Sequence, residues 1–430
     1  MGPTAQDFLS VGTPFSMSAR HVFITNSGSA APSDFDEKVK EKGGRVLSSH
    51  DAIGVVVTTG LSDDEAADIA KGVGQVERDL EVQWIPDESA LQVMVAESDA
   101  VEAETHKPPA SAAFFPFQWN MRIIDADDAW LTKTGVPSVR VAILDTGLDP
   151  DHIDQMGLID VASSRAFIPS LSGPPTWADD NFHGTHVGSI VVSNSIGTSG
   201  VAPHVSLIAV KVLGANGRGP FSAIIAGIIH AADVGADVIN MSLGATFPKR
   251  HGGGPLVAAL NRAVNYAHRK DVLVVTSAGN DAEDLQHNGD RIAIPCESGS
   301  TNLCISATGP TDDLSSYSNY GTDAIAVASP GGDFGPFATH WVLGPCSSRS
   351  VNPGLAACKS RTRYLFVIGT SQAAPHVSGL AALIDSQHGG ALNPSQLRQA
   401  IEHNAEDLGK PGADPEYGKG RINVCDAVDC

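Results

Sequence analysis

The sequence predicts an α/β protein: a mostly parallel central sheet covered by helices on both faces, preceded by a small ferredoxin-like α+β unit. Two patterns carry this reading. Beyond Phe114, short β-branched runs alternate with helical stretches, the order that builds parallel sheets. Between His21 and Ile85 the order is strand, helix, strand, strand, helix, strand, and about seventy residues suffice for it. A stretch rich in Ala, Ser, Glu and Pro parts the two.

In chain order, residues 1–19 are rich in Ser, Gly, Thr and Pro and read as a leader. Residues 21–25 form an apolar strand, 33–42 a charged amphipathic helix, and 45–49 and 53–58 two more strands. Ser62 caps a second helix whose first turn holds Asp63, Asp64 and Glu65, where the helix dipole favours negative charge. A final strand pair is expected over 76–85. Further on, 139–144, 205–213, 236–243 and 272–277 read as buried parallel strands, and 222–233, 255–270 and 370–387 as helices. The expected division is a leader over 1–19, the ferredoxin-like unit over 20–88, a linker over 89–113 and the large α/β domain over 114–430.

Composition narrows the function. Of 430 residues, 42% are hydrophobic and 18% charged, enough apolar material for a large core. With 28 Lys+Arg against 49 Asp+Glu, the net charge is −21, which argues against nucleic-acid or anionic-membrane partners. No apolar run is long enough to cross a bilayer. Residues 1–18 lack a basic segment followed by an apolar one, so no signal peptide is expected within them. The six cysteines fall into three local couples, Cys296 with Cys304, Cys346 with Cys358 and Cys425 with Cys430. Short-range disulfides are the simplest reading and point to export; free buried thiols are the alternative.

Three places break the pattern. An apolar strand ends on Asp145-Thr-Gly147, a small-residue helix opens on His183-Gly-Thr-His186, and Ser371 sits in the glycine-flanked turn Gly369-Thr-Ser371-Gln-Ala-Ala-Pro375. Singly, each has an ordinary structural explanation. Together they supply a carboxylate, an imidazole and a hydroxyl in one of the known chain orders of hydrolytic triads. A serine hydroxyl is a poor nucleophile near neutral pH, so an imidazole must take its proton, and a carboxylate must orient that imidazole. A zinc site on His183 and His186 is disfavoured, because the spacing is not i, i+4 and no glutamate follows the first.

With these motifs the chain resembles the subtilisin-like serine proteases, from about Phe114 onward. The resemblance implies the subtilisin-like three-layer sandwich and a serine endopeptidase with Asp145, His183 and Ser371 as triad. His186 becomes a structural neighbour, and Gln372 stands where the family usually carries Met. The run Thr276-Ser-Ala-Gly-Asn280 matches the segment whose asparagine donates to the oxyanion, so Asn280 takes that role. Ser242, Leu243 and Gly244 would pair with substrate backbone, and Ser277, Ala278 and Gly279 would wall the pocket for the residue before the scissile bond. Ala293, where many members carry Gly, would make that pocket shallower, with Asp281 at its rim, for medium apolar side chains. A structural Ca²⁺ is implied on Asp154, Asn194 and the carbonyls of Val192, Ile196 and Thr198, with Gln118 a candidate ligand. The family also implies that 20–88 is an inhibitory propeptide cut off within the linker, and that the mature protein is a secreted monomer acting on proteins and peptides. The alternatives are a catalytically silent binding protein on the same scaffold and an intracellular processing protease.

Overall fold

The computed structural model describes residues 16–85, 95–97, 107–248, 254–299, 301–335 and 338–430. Most of the leader and most of the linker therefore lie outside the described residues.

The N-terminal unit has strands β1 (Ser16–Thr25), β2 (Arg45–His50), β3 (Val55–Thr59) and β4 (Gly74–Gln83). They pair antiparallel in the order β2-β3-β1-β4. Helices Phe35–Glu41 and Asp63–Ala70 close one face over Phe23, Phe35, Val39, Val56 and Ile69. Ser62 caps the second helix in a full capping box with Glu65. Where a strand pair was expected over 76–85 there is one strand, β4: residues 77–83 contain no Gly, Pro, Asn or Ser to turn the chain. β1 also begins earlier than its apolar run, because Ser16 and Met17 pair with Glu81 and Leu80.

The large domain follows. Its strands are β5 (Val95–Glu97), β6 (Arg140–Asp145), β7 (Arg165–Ala166), β8 (Ser206–Lys211), β9 (Arg218–Pro220), β10 (Val238–Met241), β11 (Ala245–Pro248) and β12 (Leu273–Ser277). After them come β13 (Arg291–Ile294), β14 (Leu303–Thr308), β15 (Ile325–Pro330), β16 (Val342–Pro345) and β17 (Arg363–Val367). Seven form an all-parallel central sheet in the order β15-β14-β12-β10-β6-β8-β7. Strand alternation splits its side chains between two cores. Val141, Ile143, Leu207 and Ala209 face the helices His183–Val191 and Thr370–Gln387. Ala142, Leu144, Ile208 and Val210 face the helices Phe221–Asp233 and Gly254–Arg269. Helix, sheet and helix make three layers.

The two units share a sheet, since β4 pairs antiparallel with β9 through Glu81 to Gln83. Asp79 of β4 caps the 221–233 helix by accepting from the Ser222 amide (3.1 Å) and hydroxyl (2.6 Å), and burial raises its carboxyl pKa. Arg262 donates to the Thr25 and Ile53 carbonyls. Just past β4, Trp84 is 1% exposed and packs on Phe221 at 5.1 Å and Phe247 at 6.4 Å. Its indole N–H donates to the Gly219 carbonyl at 2.8 Å. Trp84→Ala is expected to weaken the seating of the N-terminal unit by about 3–5 kcal/mol, the usual loss for a buried aromatic. A lower urea midpoint for release of that unit in the full chain would show it.

Candidate active site

Strands β12, β10 and β6 are neighbours in the parallel sheet, so their carboxyl ends deliver 277–280, 242–244 and Asp145 to one edge. Asp145 closes β6 and is fully buried. Its carboxylate accepts the Thr146 amide at 2.7 Å and receives the His183 Nδ1–H, which lies 2.8 and 2.9 Å from its two oxygens. The chain turns at Gly147 with φ +109°, where a side chain would strike the Trp177 carbonyl.

His183 opens its helix because Asn181 caps it, the Asn181 Oδ1 accepting the Phe182 and His183 amides at 2.9 Å. The next turn is tied to the Asp145 strand. Thr146 Oγ1 accepts from the Gly184 amide and donates to Asp179, which also accepts the Thr185 amide and hydroxyl. Burial pushes the Asp179 carboxyl up to about 6. Beside it, Lys211 and Asp180 form a fully buried ion pair at 2.6 Å, and Lys211 also donates to the Thr146 and Leu213 carbonyls. Sequence reasoning missed this support; the signal was two adjacent acids before a histidine and a lysine inside an apolar strand. His186 lies away from Asp145, donating through Nε2 to the Leu365 carbonyl, and burial pushes its pKa down to about 3.

Ser371 is the second residue of the Thr370–Gln387 helix, which packs against the His183 helix. It is 6% exposed; its hydroxyl donates to the Ser242 carbonyl at 3.1 Å, while its own carbonyl accepts from Ser242 Oγ at 2.7 Å. Ser242 Oγ accepts from Asn240, which in turn accepts from Ser378. Asn280 is oriented by Thr370. Its Oδ1 accepts both the Thr370 amide and hydroxyl at 2.9 Å, which fixes the amide, and Asn280 and Ser371 line one cavity. Gly244, Ser277, Ala278, Gly279, Asp281 and Ala293 line the same cavity. Leu243 does not, being packed into the core beneath. Burial, with Glu283 nearby, pushes Asp281 up to about 6.

A model of the subtilase family matches residues 137–420. The chain belongs to the subtilase family. Thermitase of Thermoactinomyces vulgaris is 34% identical to it over 323 residues, 74% of this subtilase and 99% of that protein. A thermophilic serine proteinase of Bacillus sp. strain AK1 is also 34% identical over 323 residues, 74% of this chain and 69% of that one. Among solved structures, the epidermin leader peptide processing serine protease of Staphylococcus aureus shares the fold, with a TM-score of 0.74 and 20% identity across 97% of this chain and 98% of that one. As a subtilase, the protein is a serine endopeptidase, a hydrolase of peptide bonds.

The calcium ligands implied by the family resemblance do not fit an ion in this subtilase. Asp154, Asn194, Ile196 and Thr198 do converge, but Asp154 is surrounded by N–H and O–H donors rather than by carbonyl oxygens. Asn194 turns its amide –NH₂ to the Ile153 and Met156 carbonyls, and Val192 ends the His183 helix. Gln118 is spent on the Ser199 backbone, at 2.8 and 2.9 Å. The Asn194 Oδ1 is the one acceptor of this side-chain set without a partner, against the six to eight oxygens that Ca²⁺ takes. Among the described residues no group of three or more His, Cys, Asp or Glu could hold a metal ion.

Proposed function

We propose that the chain is a secreted endopeptidase made as a zymogen, with Asp145, His183 and Ser371 as its triad. The supporting observation is the buried Asp145–His183 pair set at the same sheet edge as Ser371 and the oriented amide of Asn280. In this reading the Asp145 carboxylate holds the Nδ1–H, leaving Nε2 to accept the Ser371 proton as Oγ attacks the substrate carbonyl. Asn280 Nδ2 and the Ser371 amide, at a helix start, receive the oxyanion. The proton then passes to the leaving amine, and water takes the same route to free the acyl group. Gly244 and its neighbours accept substrate as an added strand, and the small walls Ala278, Gly279 and Ala293 suit a medium apolar side chain.

The N-terminal unit takes the role of the inhibitory propeptide. Support comes from Trp84, whose amide donates to the Gly217 carbonyl (3.1 Å) and whose carbonyl accepts the Gly244 amide (2.9 Å), placing its backbone in the groove. Maturation falls ahead of Lys107 in this reading. Beyond the short pairing of β5 with β17, the chain is bound to the large domain from there on, with Lys107, Ala113 and Phe114 donating to the carbonyls of Asn194, Ile196 and Gly197. Pairing of all six cysteines in the expected local couples favours an oxidising compartment. The mature enzyme acts as a monomer on proteins and peptides, without nucleic-acid or membrane partners.

A fluorophosphonate probe with parallel mass measurement tests this. The expected result is one label, on Ser371, gained together with loss of the N-terminal unit and with peptide cleavage. An unlabelled, uncleaved chain that digests no peptide overturns it.

A further inference from the structure

The loop 193–199 follows the His183 helix and underlies the segment 107–118, so whatever holds it also holds the catalytic helix. Asp154, fully buried, stands at its centre. Oδ1 accepts the Ile196 amide at 2.8 Å; Oδ2 accepts the Thr198 amide at 2.9 Å and the Tyr364 hydroxyl at 2.8 Å. The Gly197 amide is shared between the two oxygens at 3.2 and 3.1 Å. Three consecutive N–H groups wrapped round one carboxylate form an anion-binding concavity, and here the anion is the protein's own.

The surroundings fit that arrangement and no other charge. Tyr364 is fully buried, its ring edge-on to His152 and to Phe114 at 5.1 Å each, and its hydroxyl lies where any side chain at Gly197 would have to go. His152 has both ring nitrogens engaged: Nε2 donates to the Arg363 carbonyl and Nδ1 accepts the Asp154 amide. Two of the three loop carbonyls that would have to turn inward toward a cation are used elsewhere: Ile196 accepts from Ala113 and Thr198 accepts from Ser193 Oγ. A cation seated on the Asp154 carboxylate would face the amides of Ile196, Gly197 and Thr198 and the Tyr364 hydroxyl, and it would have to displace those bonds to enter.

We propose that Asp154, with Tyr364, organises this loop as an internal anion in place of a bound metal, so that the loop keeps its shape without calcium. Thermal unfolding of the full-length Ser371→Ala chain, which cannot digest itself, tests this in excess calcium and in excess chelator. The expected result is coincident melting curves, since a filled site would raise Tm by a few degrees. Asp154→Asn puts a donor among donors, so its Tm falls and the amides of Ile196, Gly197 and Thr198 exchange faster. Tyr364→Phe, which keeps the packing, gives a smaller change of the same kind and carries the test if Asp154→Asn does not fold. A chelator-induced drop in Tm that disappears in either variant would overturn the proposal. A calcium effect of equal size in parent and variants places that ion elsewhere and leaves the proposal standing.

Discussion

Ser371→Ala is expected to lower kcat by a factor on the order of 10⁶, the size known for loss of this group in subtilisin itself. A base held at 2.8 Å by a buried carboxylate acts only on a nucleophile, and a nucleophilic hydroxyl acts only with a base. His183→Ala should therefore cost about as much as Ser371→Ala, and the double variant no more than either, because the parts work as one. A residual rate about 10³–10⁴ above the reaction in water should survive, supplied by the oxyanion donors and by substrate binding. Single-turnover hydrolysis of a peptide substrate by the three variants gives the comparison. Additive losses would mean that His183 does not serve Ser371.

Asn280→Leu comes next in size. It removes the side-chain donor at nearly constant volume, and the expected loss is a factor of about 10²–10³ in kcat with KM nearly unchanged, again the subtilisin magnitude. Here the structure adds a second variant. Both lone pairs of the Asn280 carbonyl are occupied by Thr370, so Thr370→Val should loosen the amide without touching substrate. The backbone N–H of residue 370 still holds one of the two contacts, so its loss should be smaller than that of Asn280→Leu. The same assay, with kcat and KM read apart, checks both. A Thr370→Val enzyme with raised KM and unchanged kcat would put the contact in ground-state binding instead.

Much of this site was legible in the sequence because its determinants are local. A strand that ends on Asp145 and turns through Gly147, and a helix that opens beside Ser371, leave their marks within a few residues. The alternation of β-branched runs and helices likewise fixes the parallel sheet without knowledge of any contact. What could not be read is set by which way a hydrogen bond points. Asp154 and Asn194 do meet at the expected loop, but whether that loop turns its carbonyls inward toward an ion or its amides toward Asp154 depends on backbone orientation, and sequence does not encode that in residue type. Long-range pairing was also hidden. Nothing in 76–85 announces that β4 will find β9, more than a hundred positions on, because edge pairing depends on the shapes the two units present to each other.

In the proposed maturation, loss of the N-terminal unit would leave that edge bare. A protease that receives its substrates as strands must keep an unpaired strand open to solvent, and such edges invite copies of the same molecule to stack on them. Here the open stretch is three residues, Arg218-Gly219-Pro220, with a cation at one end and an imino acid lacking an N–H at the other. A stretch this short, closed by an imino acid, is a poor template for stacking copies of the molecule.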